Sequence, residues 1–150
     1  MEGYSVKKIK NLYQYDITYL VSESKEEGFQ FLERLVTDYK NGTNTFKVVG
    51  ESIYGVFNND GVLIAIGGVN VDPYSQKQNI GRLRRFYVSR AYRRIGIGRV
   101  LLKEIIRNAK TYYNVLVLHT DTEQANKFYT SLGFLRKNAY PKSTHFMSLK

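Results

Sequence analysis

The chain of 150 residues contains no cysteine, no tryptophan and only two prolines, Pro73 and Pro141. Without cysteine it can form no disulfide, no thiolate nucleophile and no cysteine-based metal site. The two histidines, His119 and His145, are too few for a structural zinc site, so we expect no metal. The longest aliphatic run, 62–66, is far shorter than the ~20 residues of a membrane span. Because the N-terminus also lacks the apolar segment of a signal peptide, we expect a soluble cytoplasmic protein.

Acidic residues are scarce in one part of the chain. Ten Lys or Arg but only one acid, Glu104, lie between Lys77 and Arg107, whereas basic and acidic residues nearly balance elsewhere. The net charge of +10 is therefore a local feature, typical of a polyanion-binding surface or of a site for one small polyphosphate ligand. The length and the hydrophobic fraction of 43% indicate one globular domain over residues 1–150.

Hydrophobic periodicity and turn residues predict the order β-α-α-β-β-β-α-β-α-β-β. Strands are expected at 4–9, 51–57, 62–70, 81–88, 115–118, 134–137 and 144–149, and helical segments at 17–21, 25–39, 97–113 and 122–132. A polar loop is expected over 72–79. This order indicates a mixed α/β or α+β sheet, and the strand–helix–strand step around 97–113 predicts a parallel pair.

The start of the helix at 122–132 carries two alternative capping signals. Thr120 with Glu123, or Asp121 with Gln124, has the spacing of a capping box. Asp121 is for this reason interpreted as a helix cap rather than as a base.

A glycine-rich turn, Arg93-Arg94-Ile95-Gly96-Ile97-Gly98, joins the strand at 81–88 to the helix that follows. The unpaired N–H groups and the dipole of a helix start make such a turn a cradle for phosphate or pyrophosphate. A dinucleotide fold does not fit, because the third glycine and the acid that it requires are missing. A P-loop does not fit either, because no Gly-Lys-Ser/Thr follows. The turn therefore predicts a phosphorylated ligand.

A second motif begins at Ala125 and contains Tyr129, thirty-one residues past Gly98, and then Gly133-Phe134. Together the two motifs resemble the GCN5-related N-acetyltransferases, the GNAT family. That family carries Arg/Gln-x-x-Gly-x-Gly/Ala after a strand and later Ala-x-x-x-Tyr-x-x-x-Gly-Phe. The resemblance is close over 81–134. This chain departs from the pattern at Arg90, where many relatives have proline, and at Thr122, where many have asparagine.

The resemblance implies a central mixed, mostly antiparallel sheet with a splayed parallel strand pair, flanked by helices. It also implies acetyl-coenzyme A as the acetyl donor, with its pyrophosphate on the N–H groups from Arg94 to Arg99. The pantetheine would lie between the strands of Val88 and Val115, and Val88 N–H would bind the thioester carbonyl. The coenzyme-binding residues implied in this way are Phe86, Tyr87, Val88, Arg93, Arg94, Ile95, Gly96, Ile97, Gly98, Arg99, Thr120, Asn126, Phe128 and Tyr129.

The resemblance further implies direct attack by an acceptor amine in a ternary complex, with Tyr129 as the general acid that protonates the departing thiolate. For the general base four residues qualify by location: Glu33, Glu51, Asp72 and His119. We favour Glu51 and keep a water-mediated route open. A packed core tyrosine remains the alternative for Tyr129, and a structural role the alternative for both histidines.

The acceptor is expected to be a small-molecule amine or a protein amine. Arg82, Arg84 and Arg85 would form a solvated strand face, or contact the coenzyme 3′-phosphate or an acidic acceptor. Two other functions compete: a non-catalytic acyl-coenzyme A sensor, and a basic nucleic-acid-binding module that uses 77–107. We expect no nucleic-acid partner and no membrane partner, and a homodimer as one possible assembly.

Overall fold

The computed structural model describes residues 2–77 and 79–150, and the predicted loop at 72–79 therefore includes one residue, Gln78, outside the described ranges. The strands are β1 Ser5–Lys8, β2 Ser52–Phe57, β3 Leu63–Val71, β4 Ile80–Val88, β5 Val115–Leu118, β6 Leu135–Arg136 and β7 His145–Ser148. The helices are α1 Thr18–Glu26, α2 Phe31–Asn41, α3 Ile97–Ala109 and α4 Glu123–Ser131. The predicted order of strands and helices is confirmed, with two added 3₁₀ turns at Leu12–Gln14 and Arg90–Tyr92.

The seven strands form one sheet in the order β1-β2-β3-β4-β5-β7-β6. All neighbouring pairs are antiparallel except β4 and β5, which are parallel, as the strand–helix–strand step predicts. The mixed, mostly antiparallel sheet is thus confirmed. The parallel pairing is short, running only from Ile80 opposite Val115 to Arg82 opposite Val117.

Apolar side chains cover both faces of this sheet in two clusters. On one face α3 and α4 contribute Leu101, Leu102 and Tyr129. On the other face α1 and α2 contribute Leu20 and Leu32. We name these the α3/α4 face and the α1/α2 face. None of the helices in the described ranges is both long and apolar enough to cross a membrane.

The predicted single helix at 25–39 is wrong, because the chain breaks it between α1 and α2. Gly28 has a φ of 88°, and its N–H donates to the Lys25 carbonyl at 3.0 Å. Phe29 N–H donates to the Ser24 carbonyl at 2.9 Å, which completes a Schellman ending of α1. The predicted helical turn at 17–21 is therefore only the first half of α1.

Two further helix boundaries differ from the predictions. α3 ends at Ala109, four residues before the expected Tyr113, whose hydroxyl donates to the Gly50 carbonyl at 2.8 Å from a fully buried position. The cap of α4 is neither Thr120 nor Asp121. Thr122 caps it, since its hydroxyl accepts from Ala125 N–H at 3.1 Å.

Candidate active site

The sheet opens on one side of β4. Pairing with β5 ends at Arg82, yet β4 continues to Val88. Ser89 N–H donates to the carbonyl of Ile64 in β3 at 2.9 Å, so Ser89 and Ile64 form a hydrogen-bonded pair of the antiparallel ladder. Because antiparallel pairs alternate, Val88 opposite Ala65 is a non-hydrogen-bonded position towards β3. Its N–H is therefore directed to the side that β5 leaves open.

The glycine turn lies directly beyond this end of β4. Arg94 and Gly96 have left-handed backbones, with φ of 64° and 91°, and Gly96 is the N-cap residue of α3. The first helical bond runs from Val100 N–H to the Gly96 carbonyl at 3.0 Å. The N–H groups of 97–99 therefore have no partner within the helix. Arg94 and Gly96 are also exposed, so the turn can receive an anion from solvent.

Gly98 brings the start of α3 against β4 and α4. A Cβ at this position would lie 3.3 Å from atoms of both Val88 and Phe128, tighter than ordinary contact. The Phe128 ring in turn packs on Phe86, with 5.8 Å between the ring centroids. The structure thus brings together four of the predicted coenzyme-binding residues at one corner of the α3/α4 face.

The side chain of Arg93, the first residue of the glycine motif, turns away from this corner. Its Nε donates to the Val88 carbonyl at 2.9 Å, and its Nη1 donates to Glu27 on α1 at 3.0 Å. This hydrogen-bonded pairing lowers the pKa of Glu27. The guanidinium of Arg93 therefore ties the end of β4 to α1, and the role of Arg93 in coenzyme binding stays a prediction.

Tyr87, also predicted to bind the coenzyme, points to the α1/α2 face. Its hydroxyl lies 2.6 Å from a Glu23 oxygen and 2.7 Å from a Glu27 oxygen, and it donates to one of them at a time. Burial first, and then these two carboxylates, raise the pKa of Tyr87. Glu23 also accepts from Ser89 and from the N–H of Arg90. Tyr87 is therefore part of the contact between α1 and β4.

Tyr129 lies on the α3/α4 face with 8% of its surface exposed. Its ring packs against Phe128, Phe134, Phe86 and His145, with centroid distances from 5.2 to 6.3 Å. Among the residues that the structure describes, its hydroxyl has no hydrogen-bond partner within the chain. Burial raises the pKa of the Tyr129 hydroxyl, so the group stays protonated at neutral pH.

A polar chain of hydrogen bonds fixes His145 beside Tyr129, and no motif in the sequence indicates it. Thr120 N–H donates to Thr144 Oγ1 at 3.0 Å, and Thr144 Oγ1 lies 2.7 Å from His145 Nδ1. His145 Nε2 lies 2.7 Å from Asn126 Oδ1, whose amide nitrogen donates to Glu123 at 2.8 Å. These partners assign the neutral Nε2–H tautomer. Burial and nearby Arg136 lower the pKa of His145, which favours the same neutral form.

A cavity of about 470 Å³ opens next to this network. It lies between the end of β5, the first turn of α4 and the β6–β7 hairpin, and Thr120, Asn126, Arg136 and His145 line it. Two predicted coenzyme-binding residues, Thr120 and Asn126, thus share one polar cavity close to Tyr129.

Glu51, the favoured general base, lies elsewhere. Its two carboxylate oxygens accept from Val48 N–H at 3.2 Å and from Val71 N–H at 3.1 Å. Because Val71 pairs with Gly81 near the start of β4, Glu51 is separated from Val88 by roughly 20 Å along the strand. This placement argues against the prediction of Glu51 as the base, because the Glu51 carboxylate fixes the start of β2.

Two of the other three candidate bases are also engaged elsewhere. Glu33 pairs with Lys25 at 2.7 Å on the surface of the helices. Asp72, fully buried, accepts from Arg82 at 2.8 Å. His119 alone follows β5 directly at the open side, half-exposed, with its Nε2 2.9 Å from Asp121 Oδ1.

A sheet opened between two parallel strands, with a glycine turn starting a helix beside the opening, is the architecture expected of an acetyltransferase. Residues 50–136, more than half of the chain, match the sequence model of the acetyltransferase (GNAT) domain. The chain therefore belongs to the GNAT acetyltransferase family, and the resemblance stated from the two motifs is confirmed.

Solved structures agree with this assignment. A protein from Exiguobacterium sp. 255-15 that is assigned as an acetyltransferase is 30% identical, with a TM-score of 0.86 over 97% of this chain and 93% of that one. A GNAT acetyltransferase from Staphylococcus aureus Mu50 is 21% identical, with a TM-score of 0.75 over 97% and 100%. YncA from Salmonella typhimurium, solved with acetyl-CoA, is 14% identical, with a TM-score of 0.75 over 99% and 95%. The last two share the fold.

Proposed function

We propose that this protein transfers an acetyl group from acetyl-coenzyme A to a primary amine by direct attack. One juxtaposition carries the proposal. Val88 N–H is directed into the open side of β4, and α3 starts immediately beside it with the N–H groups of 97–99, which have no partner within the helix. A thioester in the opening and a pyrophosphate on the turn would meet donors at both places. YncA, which has the same fold, was solved with this coenzyme.

The residues around the opening would divide the work of binding. The N–H groups from 94–99 would hold the pyrophosphate, and Phe86, Phe128 and Asn126 would line the pantetheine arm. Val88 N–H would donate to the thioester carbonyl and stabilise the oxyanion that develops on it.

The transfer itself would form one bond and break one. The amine nitrogen bonds to the thioester carbon, the carbon–sulfur bond breaks, and the departing thiolate takes the proton of the Tyr129 hydroxyl. Burial of Tyr129 supports this role, because the raised pKa keeps the proton available at neutral pH. The surrounding rings of Phe86, Phe128 and Phe134 also hold the Tyr129 ring in place.

Substitution of Tyr129 by phenylalanine tests this role. We expect kcat to fall by about 100-fold or more, the usual range for a general acid, while the Kd of acetyl-CoA changes little. Tyr113→Phe is the matched control, since among the described residues that buried hydroxyl bonds only Gly50, and its loss should leave kcat unchanged. An unchanged kcat in Tyr129→Phe would remove Tyr129 from the mechanism. Stoichiometric binding of acetyl-CoA without turnover of any amine would favour the acyl-coenzyme A sensor.

We further propose His119, oriented by Asp121, as the group that takes the proton of the attacking amine. It is the one candidate base that follows β5 at the open side, and it is half-exposed. His119→Gln should lower kcat/KM at neutral pH, and the defect should shrink as the pH rises, because the amine then arrives unprotonated. A pH profile parallel to that of the unsubstituted protein, with the same kcat/KM, would favour the water-mediated route.

The contacts of several basic residues at 77–107 argue against the alternative that the protein binds nucleic acid. Arg82 is buried in an ion pair, Arg93 is bound to Glu27, and Arg107 pairs with Glu104. These three of the ten basic residues are therefore engaged in separate local contacts, where a polyanion would need one continuous exposed surface.

A further inference from the structure

Two consecutive arginines lie at an irregularity in β4. Ile66 pairs with Tyr87 and Gly68 pairs with Arg84, so one residue of β3 opposes two of β4, Arg85 and Phe86. Arg85 adopts a left-handed backbone with a φ of 59°, as in a β-bulge. The bulge interrupts the alternation of side chains along the strand, and Arg84 and Arg85 both come to the α1/α2 face.

Contacts on each side establish this placement. Arg84 Nη1 lies 3.5 Å from the side-chain oxygen of Asn70, which exchanges hydrogen bonds with Asn44 in the loop after α2. Arg85 Nη2 lies 3.7 Å from Asp38 on α2. The two guanidinium groups thus share the space between β4 and α2.

The positive charge in this space is only partly compensated. The Arg85 side chain is only 9% exposed, and its Nε is buried without any hydrogen-bond partner among the residues described. Asp38 is 29% exposed and forms only a long ion pair with Arg85, and Arg84 contacts the neutral amide of Asn70 at the limit of hydrogen bonding. Burial first, and then the charge of Arg84, lower the pKa of Arg85 to about 10. Buried charges without close partners are costly, so this arrangement suits an additional anion.

Arg82, in the same strand, is an arginine whose buried guanidinium has hydrogen-bond partners for all three of its nitrogens. Its Nε donates to Asp72 at 2.8 Å, and its two other nitrogens donate to the carbonyls of Lys142 and Pro141, each at 2.9 Å. The hydrogen-bonding groups of Arg82 are therefore satisfied by partners within the chain. Those of Arg84 and Arg85, two and three positions further on, are not.

The coenzyme phosphates are not a suitable anion for this place. The glycine turn and α3 lie at the α3/α4 face, whereas Arg84 and Arg85 lie at the opposite face. The bulge is three residues before Val88, so Arg85 lies roughly 10 Å along the strand from the proposed thioester site. That distance is within reach of an acceptor whose amine sits at the thioester.

We propose that the acceptor is an amine that also carries a carboxylate, and that Arg84 and Arg85 bind this carboxylate. The inference rests on the proposed acetyl transfer and adds the chemical class of its acceptor. An anion in this space would give Arg85 Nε a partner and offset the repulsion between the two guanidinium groups.

The test compares amino acids with their carboxamides, which have nearly the same shape but lack the negative charge; because the amide also lowers the pKa of the amine, kcat/KM is expressed for the unprotonated amine. With acetyl-CoA as donor, we expect the carboxylates of the preferred amine to have a kcat/KM about tenfold to a hundredfold above their amides, the range of a charged hydrogen bond. Binding of the N-acetylated products, acid against amide, is measured by calorimetry with coenzyme A present and does not depend on turnover.

Variants then assign the preference to the arginines. Arg84→Gln should reduce the acid-to-amide ratio by at least about tenfold and leave the Kd of acetyl-CoA unchanged, and Arg84→Lys should recover part of the ratio. Arg107→Gln removes an equal charge from an exposed position and should change nothing. The inference is overturned if no acid is preferred to its amide in turnover or in product binding. Weaker acetyl-CoA binding in Arg84→Gln overturns it too, while failure of the native protein to bind acetyl-CoA refutes the proposed function instead.

Discussion

Gly96 gives the sharpest link between local backbone geometry and coenzyme binding. Its φ of 91° and ψ of 6° lie in the left-handed region, where an alanine costs about 1–2 kcal/mol. Gly42, which ends α2, has nearly the same backbone, with φ of 84° and ψ of 1°, and a Cβ added there would meet no atom within 4 Å. Gly42→Ala should therefore lose about 1–2 kcal/mol of free energy of unfolding in urea denaturation, and Gly96→Ala at most as much.

The two variants should differ in coenzyme affinity. In Gly96→Ala the turn can relieve its strain by rotating, and that rotation moves the N–H groups of 97–99 away from a common anion. If about 1.4 kcal/mol of strain is relieved in this way, the Kd of acetyl-CoA rises about tenfold in calorimetry, whereas Gly42→Ala keeps the native Kd. Equal affinities in the two variants would show that the turn does not hold the pyrophosphate, and would refute the reasoning.

Two further predictions concern stability. Because the folded protein holds His145 neutral with a lowered pKa, the unfolded chain binds more protons below its ordinary pKa of about 6.5. Stability from His145 is thus present above that pH and lost as the pH falls. Urea denaturation at pH 7.5 and 5.5 should show a smaller decrease for His145→Gln than for the native protein; an equal decrease would contradict the assignment. Asp72→Ala leaves Arg82 buried without its partner and should cost about 3–5 kcal/mol, whereas Glu33→Ala breaks the half-exposed pair with Lys25 and should cost at most about 1 kcal/mol. Comparable losses in the two variants would argue against a buried ion pair.

Local patterns predicted most of the secondary structure correctly. The helix at 97–113 and the strand at 115–118 follow from clear periodicity, and β5 has the predicted bounds. The prediction of one helix at 25–39 was wrong because the apolar spacing continues across Gly28. A glycine is itself the residue that most often ends a helix, and Gly28 ends α1 here. Periodicity alone does not distinguish one helix from two whose faces happen to align.

The part of the candidate site that is formed by backbone groups could be predicted from the sequence. The glycine turn depends only on neighbouring residues, so the sequence indicated Gly96 and the N–H groups that follow it. The roles of side chains depend on partners far along the chain. Arg93 meets Glu27 across 66 positions, and no spacing rule connects them. The same holds for His145 and Asn126.

The three arginines of β4 illustrate the remaining limit. Strand alternation predicts that Arg82 and Arg84 share a face and that Arg85 lies on the other. The bulge brings Arg85 to the same face as Arg84, and the loop at 141–142 folds over Arg82. No sequence pattern indicates the bulge or the position of this loop. The sequence alone therefore could not decide whether these arginines form a solvated face, contact a phosphate or bind an acidic acceptor.

The measurement that tests the central claim most directly is a calorimetric titration of the protein with acetyl-CoA at low and high salt, with an oligonucleotide as the competing ligand. The account predicts stoichiometric binding of acetyl-CoA with a micromolar Kd, and weakening of that binding in Gly96→Ala but not in Gly42→Ala. Binding of the oligonucleotide alone, weakening steeply as salt rises, would contradict it and leave the basic residues of 77–107 as the basis of function.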